Sequence, residues 1–190
     1  MQWVIYASNF LFFACIAHVA VLALSDPGYV KPESNDPDFF YNLLLTKEPS
    51  TLCPHCKICR TQRSRHCQSC DRCIDRFDHH CPWINNCVGS QNYHLFFSYV
   101  LVQFLFLLNL TYILIHYLFA SLIHVEDKYS FKVIYSLFMV MILFFLFSLA
   151  TLCYMQTINL FKNQTTFERY MTSKYSDQSR VHQRGSPYPS

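Results

Sequence analysis

The sequence predicts an α-helical multi-pass membrane protein, in which three transmembrane helices flank one cysteine-rich domain. Three observations predict this class. Hydrophobic residues make up 52% of the 190 residues and charged residues only 14%, a balance that soluble domains rarely show. The apolar residues gather in three long runs. Eight of the ten cysteines lie between residues 53 and 87, interleaved with histidines.

The first span is predicted at residues 3–24, a stretch of 22 residues without a charge. A helix needs about 20 apolar residues to cross the hydrocarbon core of a bilayer. A cleaved signal peptide is the alternative, but the stretch lacks a basic start and exceeds the roughly 7 to 15 apolar residues of a signal sequence. Two more spans are predicted at 95–123 and 133–155, joined by a lumenal or extracellular loop at 124–132. In lipid these runs must be helical, because an unpaired backbone amide there costs several kcal/mol.

Basic residues predict how the chain is oriented. Of its 15 Lys and Arg residues, 13 lie in the loop after the first span or in the carboxyl-terminal tail, and two lie in the 124–132 connection. The positive-inside bias therefore places the loop and the tail in the cytosol. Because the cytosol is reducing, the cysteines are expected to be thiolates that bind metal, not disulfides. A net charge of +3 is too small to indicate a nucleic-acid partner.

Two cytosolic segments are predicted to lack regular structure. Residues 25–52 contain four prolines and five acidic residues and are predicted to be irregular. The tail covers residues 156–190, and its last fifteen residues, from Ser176, are polar enough to predict disorder. No internal repeat is evident in the chain.

The cysteine-rich domain, residues 53–94, is predicted to be loops and short hairpins held together by zinc. Its cysteine cluster has five sizeable apolar side chains, too few to offset the entropy of ordering it. A structural zinc site contributes about 10 to 16 kcal/mol, and C-x2-C pairs mixed with histidines are typical of such sites. Two tetrahedral sites use eight ligands, while the cluster offers eight cysteines and four histidines. Spacing alone does not tell which four of these twelve side chains bind no metal.

A possible catalytic group lies inside this cluster. A thiolate nucleophile needs a nearby base and a carboxylate that orients the base, and Asp78, His79 and Cys81 supply all three within four positions. Arg76 and a nearby metal would favour the thiolate form of Cys81. The alternative is that Asp78 caps a turn and every cysteine binds metal. The residues by themselves leave both interpretations open.

The stretch HCQSCDRCIDRFDHHCPWINNCVGSQNYHLFF, residues 66–97, resembles the cysteine-rich domain of the DHHC protein S-acyltransferases, the palmitoyltransferases. Asp26-Pro27-Gly28 is similar to the Asp-Pro-Gly motif of that family, and Thr165-Thr166-x-Glu168 is similar to its Thr-Thr-x-Glu motif. The resemblance covers residues 1 to about 170. Family members usually have four spans, two of them before the cysteine-rich domain. We therefore expect that this chain lacks a first span.

The resemblance implies two structural zinc ions, each held by three cysteines and one histidine. The first ligand set is Cys53, Cys56, His66 and Cys73, and the second is Cys67, Cys70, His80 and Cys87. The resemblance also implies that Cys81 is the nucleophile, that His79 is its base, and that Asp78 orients His79.

The function implied is protein S-acylation, in which a long-chain acyl group such as palmitoyl passes from acyl-CoA to Cys81 and then to a protein cysteine. The expected partners are acyl-CoA, the lipid bilayer and membrane-associated substrates with cytosolic cysteines. The expected location is the Golgi, the endoplasmic reticulum or the plasma membrane, with the active site facing the cytosol. The alternative is an inactive zinc-folded membrane adaptor or scaffold. A membrane-bound ubiquitin ligase is less favoured, because Asp78, His79 and Cys81 would then have no role.

Overall fold

The computed structural model describes residues 2–34, 36–123 and 129–184. Its helices are α1 (Gln2–Leu24), α2 (Pro37–Thr46), α3 (Tyr93–Ile123), α4 (Tyr129–Phe161) and α5 (Thr166–Arg184). Its strands are β1 (Leu52–Cys53), β2 (Ile58–Cys59), β3 (Arg65–Cys67), β4 (Arg72–Ile74), β5 (His79–Cys81) and β6 (Asn86–Val88). The chain divides into two compact units. One combines residues up to 23 with residues 94–157, and the other combines residues 24–93 with the chain from residue 158 onward.

The first unit contains long apolar helices. Three helices of the described residues are long and apolar enough to cross a membrane, over Gln2–Leu24, Tyr93–Ala120 and Lys132–Phe161. The side chains of Ser8 in α1 and Asn109 in α3 hydrogen-bond each other, which satisfies both polar groups between apolar helices. The prediction of three helices long and apolar enough to span a membrane is confirmed.

The segment between α1 and the first strand differs from its prediction as irregular chain. Residues Pro37–Thr46 form α2, and Pro49–Thr51 form one turn of 3-10 helix. The Asp36 side chain accepts a hydrogen bond of 3.0 Å from the Asp38 N–H, and Pro37 occupies the first turn. Aspartate is a favoured N-cap and proline is favoured at the first helical position. Pro37 therefore starts a helix instead of interrupting one.

Two other boundaries differ from the sequence predictions. Residues 129–132, predicted to be loop, belong to α4, while residues 124–128 of that loop lie outside the described residues. Helix α5 extends to Arg184 and so includes most of the segment predicted to be disordered from Ser176. No glycine or proline occurs between Thr166 and Arg184, so nothing in the backbone interrupts the helix. Residues 185–190 lie outside the described residues.

The second unit contains three antiparallel hairpins, which we name hairpin 1 (residues 52–59), hairpin 2 (residues 65–74) and hairpin 3 (residues 79–88). In each, a residue with positive φ directly precedes the second strand: Lys57, Asp71 and Asn85 have φ of 54°, 49° and 48°. The first strands end at Cys53, Cys67 and Cys81, which are spaced by 14 residues. The hairpins thus form a tandem repeat that the sequence analysis missed.

The Asp26-Pro27-Gly28 segment attaches to hairpin 2. The Asp26 carboxylate accepts hydrogen bonds from the N–H groups of Gly28 and Tyr29 at 2.8 and 2.9 Å. Gly28 has a φ of 100°, and an added Cβ would lie 2.4 Å from Ser90 Oγ. The next residues run beside β4, where the Val30 N–H donates to the Cys73 carbonyl at 2.8 Å. This motif therefore positions a strand that carries a predicted metal ligand.

Candidate metal centres and active site

The first group of metal-ligating side chains joins hairpins 1 and 2. His66 and Cys73 are cross-strand partners in hairpin 2, while Cys53 ends the first strand of hairpin 1 and Cys56 lies in its turn. The ligand atoms of all four lie within 4.8 Å of one another. His66 Nδ1 is 3.6 Å from Cys53 Sγ and 3.3 Å from Cys56 Sγ. Nitrogen and sulfur ligands on one tetrahedral zinc ion lie roughly 3.6 Å apart, so these residues fit such an ion.

The second group repeats this arrangement one hairpin further along. His80 and Cys87 are cross-strand partners in hairpin 3, while Cys67 ends the first strand of hairpin 2 and Cys70 lies in its turn. Their ligand atoms also lie within 4.8 Å of one another. Cys70 Sγ is 3.4 Å from both His80 Nδ1 and Cys87 Sγ. Both groups could therefore hold a metal ion, and each consists of the residues that the family resemblance implies.

The remaining cysteines and histidines of the cluster lie outside both metal groups. All ten cysteines belong to the described residues, and none forms a disulfide. Cys59 is half-buried and is the cross-strand partner of Leu52. The His55 ring stacks on the His66 ring, with 5.0 Å between the ring centroids. Cys81 is buried and belongs to neither group.

Asp78, His79 and Cys81 lie together at the start of hairpin 3. His79 Nδ1 is 2.7 Å from Asp78 Oδ2, and the Asp78 side chain is fully buried. His79 also hydrogen-bonds the Cys81 side chain. Because Asp78 occupies Nδ1, the other ring nitrogen remains for the sulfur. A series of carboxylate, imidazole and thiol is an arrangement that can activate a cysteine as a nucleophile.

The electrostatics of this series favour an ionised thiol. Burial alone would lower the pKa of His79, but its hydrogen bonds to Asp78 and Cys81 raise that pKa to about 9. Burial would likewise raise the pKa of Cys81, yet hydrogen bonds from His79 and from the backbone N–H groups of Ile84 and Trp83 hold the pKa of this thiol below its ordinary value. The arrangement therefore stabilises a thiolate beside an imidazolium.

Helix α5 begins at the Asp78 carboxylate. Asp78 Oδ1 accepts a hydrogen bond of 2.7 Å from the N–H of Thr166, the first residue of α5. The preceding residue, Thr165, forms a capping box with Glu168: the Glu168 N–H donates to Thr165 Oγ1, and the Thr165 N–H donates to Glu168 Oε2. One oxygen of Asp78 thus bonds the helix and the other bonds His79, and the two bonds together fix the orientation of the carboxylate.

Two arginines attach the start of α5 to the hairpins. The Arg63 guanidinium donates to both oxygens of Glu168, at 2.6 and 2.7 Å. Arg63 also donates to the Asn163 carbonyl at 3.0 Å, and Arg76 donates to Asn163 Oδ1 at 2.7 Å. Although burial would raise it, the pKa of Glu168 is held below its ordinary value by Arg63 and the Thr165 N–H. Sequence reasoning missed these partners, because 105 residues separate Arg63 from Glu168 and nothing in a single sequence pairs them.

Replacing Glu168 with glutamine is expected to loosen this attachment. The change keeps the size of the side chain but removes the charge that faces Arg63. Both partners are 30% exposed, so we expect a loss of about 1 kcal/mol. This corresponds to roughly fivefold faster deuterium uptake by the amides at the start of α5, measured by mass spectrometry. Glu33→Gln, on an exposed segment, is the matched control. Unchanged uptake in Glu168→Gln would contradict the assigned role of the ion pair.

Comparison with known proteins agrees with this geometry. A search of individual curated proteins gives no match. The model of one family, described as DHHC palmitoyltransferase, matches residues 46–173, which is more than half of the chain and contains all three hairpins, both metal groups and the start of α5. The chain therefore belongs to the DHHC palmitoyltransferase family.

Proposed function

We propose that this chain is a protein S-acyltransferase that transfers a long-chain acyl group, such as palmitoyl, from acyl-CoA to cysteine thiols of protein substrates. One observation carries this proposal. A buried cysteine outside both metal groups hydrogen-bonds a histidine whose Nδ1 lies 2.7 Å from a buried aspartate. Family membership supports the same chemistry.

In the first step, the Cys81 thiolate attacks the thioester carbonyl of acyl-CoA. The bond from the carbonyl carbon to Cys81 Sγ forms and the bond to the CoA sulfur breaks, so one thioester replaces another. His79 holds the proton taken from Cys81 and gives it to the departing CoA thiolate. Asp78 stabilises the protonated imidazole and keeps Nδ1 as the donor.

In the second step, a cysteine of the protein substrate attacks the acyl group on Cys81. His79 takes the proton of the incoming thiol and returns it to Cys81 when the acyl-enzyme bond breaks. The substrate leaves as a thioester, and Cys81 is restored as a thiol.

We propose that both metal ions are zinc and that their role is structural. Each group supplies four protein ligands, three thiolates and one imidazole, which completes a tetrahedral shell and leaves no position for substrate. His80 on β5 and Cys87 on β6 attach hairpin 3 to the second metal ion, whereas Cys81, the next residue of β5, binds no metal. Zinc thus contributes folding energy to the turn that presents the nucleophile.

The proposed setting is the cytosolic face of a membrane. The basic residues of the segment between the first two spans and of the tail favour a cytosolic location for both, by the positive-inside bias. A palmitoyl chain gains on the order of 10 kcal/mol in lipid, at about 0.8 kcal/mol per methylene, so it stays in the bilayer during transfer. Substrates are accordingly membrane-associated proteins with cytosolic cysteines, at the Golgi, the endoplasmic reticulum or the plasma membrane.

The test is acylation of the purified, zinc-loaded protein in detergent with labelled palmitoyl-CoA. We expect label that hydroxylamine removes, followed by its transfer to an added protein that contains a cysteine. A folded, zinc-loaded sample that takes up no label would overturn the proposal. It would favour instead a membrane adaptor that keeps the zinc-bound hairpins without turnover.

The two adjacent histidines are expected to differ in the effect of substitution. His79→Ala removes the base, so acylation should fall by roughly 10²-fold or more while two zinc ions remain bound. His80→Ala removes a ligand of the second metal group, so zinc content should fall together with acylation. Metal analysis and the labelling assay on both variants separate the two roles. Loss of zinc in His79→Ala, or full retention in His80→Ala, would contradict the assignment.

A further inference from the structure

The three hairpins share one pattern of 14 residues. In each hairpin a first cysteine ends the first strand (Cys53, Cys67, Cys81), and a second cysteine follows six positions after it (Cys59, Cys73, Cys87). The second cysteine pairs across the hairpin with the residue that directly precedes the first cysteine. Three positions after the first cysteine stand Cys56, Cys70 and Ile84. The strand pairing has the same register in all three hairpins. Cys81 therefore occupies the position that holds a metal ligand in hairpins 1 and 2.

The metal groups follow a rule that links neighbouring hairpins. Each group takes the first cysteine and the turn cysteine from one hairpin, and a cross-strand His and Cys pair from the next. Hairpin 3 supplies His80 and Cys87 to the second group, which leaves Cys81 as the start of a third group. That third group lacks its turn cysteine, because the position is Ile84. It also lacks a following hairpin, because α3 begins at Tyr93.

The backbone around Cys81 has the form of a metal-binding turn. Cys53 accepts hydrogen bonds from the backbone N–H groups of His55 and Cys56, two and three positions further along. Cys81 accepts them from Trp83 and Ile84, at the same two offsets. Such amides stabilise a thiolate whether its partner is a metal ion or a carbonyl carbon. Within the turn itself, the two uses differ in the side chain three positions after the cysteine.

We propose that Ile84 is the residue that keeps Cys81 free of metal and so available as a nucleophile, an inference that rests on the proposed function. Ile84 is 2% exposed and places an apolar side chain where hairpins 1 and 2 have a second sulfur. A metal ion at Cys81 would find in this turn one thiolate and, on His79, the ring nitrogen that Asp78 does not occupy, which makes two protein ligands. Zinc in a protein is held by at least three protein ligands, with water completing the shell where there are only three, so Cys81 stays unbound and a cysteine at position 84 would supply the missing third ligand.

The experiment restores the turn cysteine. Wild type, Ile84→Cys, Ile84→Ala and the double variant Ile84→Cys/Cys81→Ser are equilibrated with micromolar zinc and passed through gel filtration, and zinc per chain is counted. We expect three zinc ions in Ile84→Cys and two in each of the others. Cys81 should also resist alkylation by iodoacetamide in Ile84→Cys alone, with its reactivity regained after treatment with a chelator.

Several outcomes would distinguish a metal-excluding role of Ile84 from a role in packing alone. The inference would be overturned if Ile84→Cys bound only two zinc ions and its Cys81 were alkylated as in wild type. It would also be overturned if Ile84→Ala or the double variant bound a third zinc ion. Ile84→Ala removes more packing than Ile84→Cys does. If it still binds two zinc ions, lost packing at this position does not change the number of zinc ions per chain. Should Ile84→Cys fail to fold, Ile84→His offers an imidazole ligand at the same place and is expected to bind the third ion. Wild type with two zinc ions but no acyl label would contradict the proposed function while leaving the predicted counts intact.

Discussion

Replacing Cys81 with serine is expected to reduce acyl transfer by at least about 10³-fold while both metal groups keep their zinc. The hydroxyl of serine is far less acidic than a thiol, and the hydrogen bond from His79 does not ionise it at neutral pH. Cys81 belongs to neither metal group, so its loss removes no ligand. Labelling with palmitoyl-CoA and zinc analysis of the same sample measure both expectations.

Cys59→Ser is the matched control for this change. Cys59 is a second cysteine of the hairpins outside both metal groups, but its cross-strand partner is Leu52 and its chain neighbours are Ile58 and Arg60. We expect Cys59→Ser to keep both its label and its zinc. Hydroxylamine-sensitive label of normal intensity in Cys81→Ser would place the acyl group on a different residue.

Replacing Cys67 with alanine is expected to release zinc from the second metal group and to unfold the hairpins. The core of this unit is built from the ligands themselves: Ile74 packs with Cys67 and Cys87, and Ile58 packs with Cys53 and Cys73. Few other apolar side chains are present, while metal binding contributes about 10 to 16 kcal/mol per site. Zinc per chain should fall from two to one or fewer, and amide deuterium uptake across residues 53–87 should approach that of unfolded chain.

The control for this prediction is Cys59→Ala, which removes the same atoms from a hairpin position outside the metal groups. It should keep two zinc ions and slow exchange. Two zinc ions retained by Cys67→Ala would contradict the second ligand set. A loss of equal size in Cys59→Ala would mean that cysteine packing, and not the metal, stabilises the hairpins.

The membrane spans and the metal groups could be predicted because each leaves a local pattern. Long uncharged runs are helical in lipid regardless of their neighbours, and α1, α3 and α4 lie where those runs occur. C-x2-C pairs with histidines indicate metal on spacing alone. Division of the ligands into two sets needed the family resemblance, because twelve cysteines and histidines can be combined in many ways.

Other features depend on local chemistry that the composition of a segment hides. Helix α2 was missed because the four prolines of residues 25–52 suggested irregular chain, although Asp36 and Pro37 together make a good helix start. The hairpin repeat was missed because Ile84 breaks the cysteine pattern in the third copy, and only the shared register and the residues of positive φ reveal it.

The docking of α5 depends on contacts between distant parts of the chain. Thr165 and Glu168 predict a capping box, and the structure has one. The bond from the Thr166 N–H to Asp78 and the contact of Phe167 with Phe77 have no local signature. These contacts connect a carboxyl-terminal motif to the orienting carboxylate, so a change in the tail is expected to act through His79.

Acyl transfer through Cys81 is tested most directly by locating the acyl group on the protein. Protein incubated briefly with palmitoyl-CoA is digested at low pH, and the acylated peptide is identified by mass spectrometry. We expect a palmitoyl thioester on Cys81, which hydroxylamine removes and which an added cysteine-containing substrate depletes. A thioester on another cysteine with Cys81 unmodified, or an acyl group on Cys81 that no substrate depletes, would contradict this expectation.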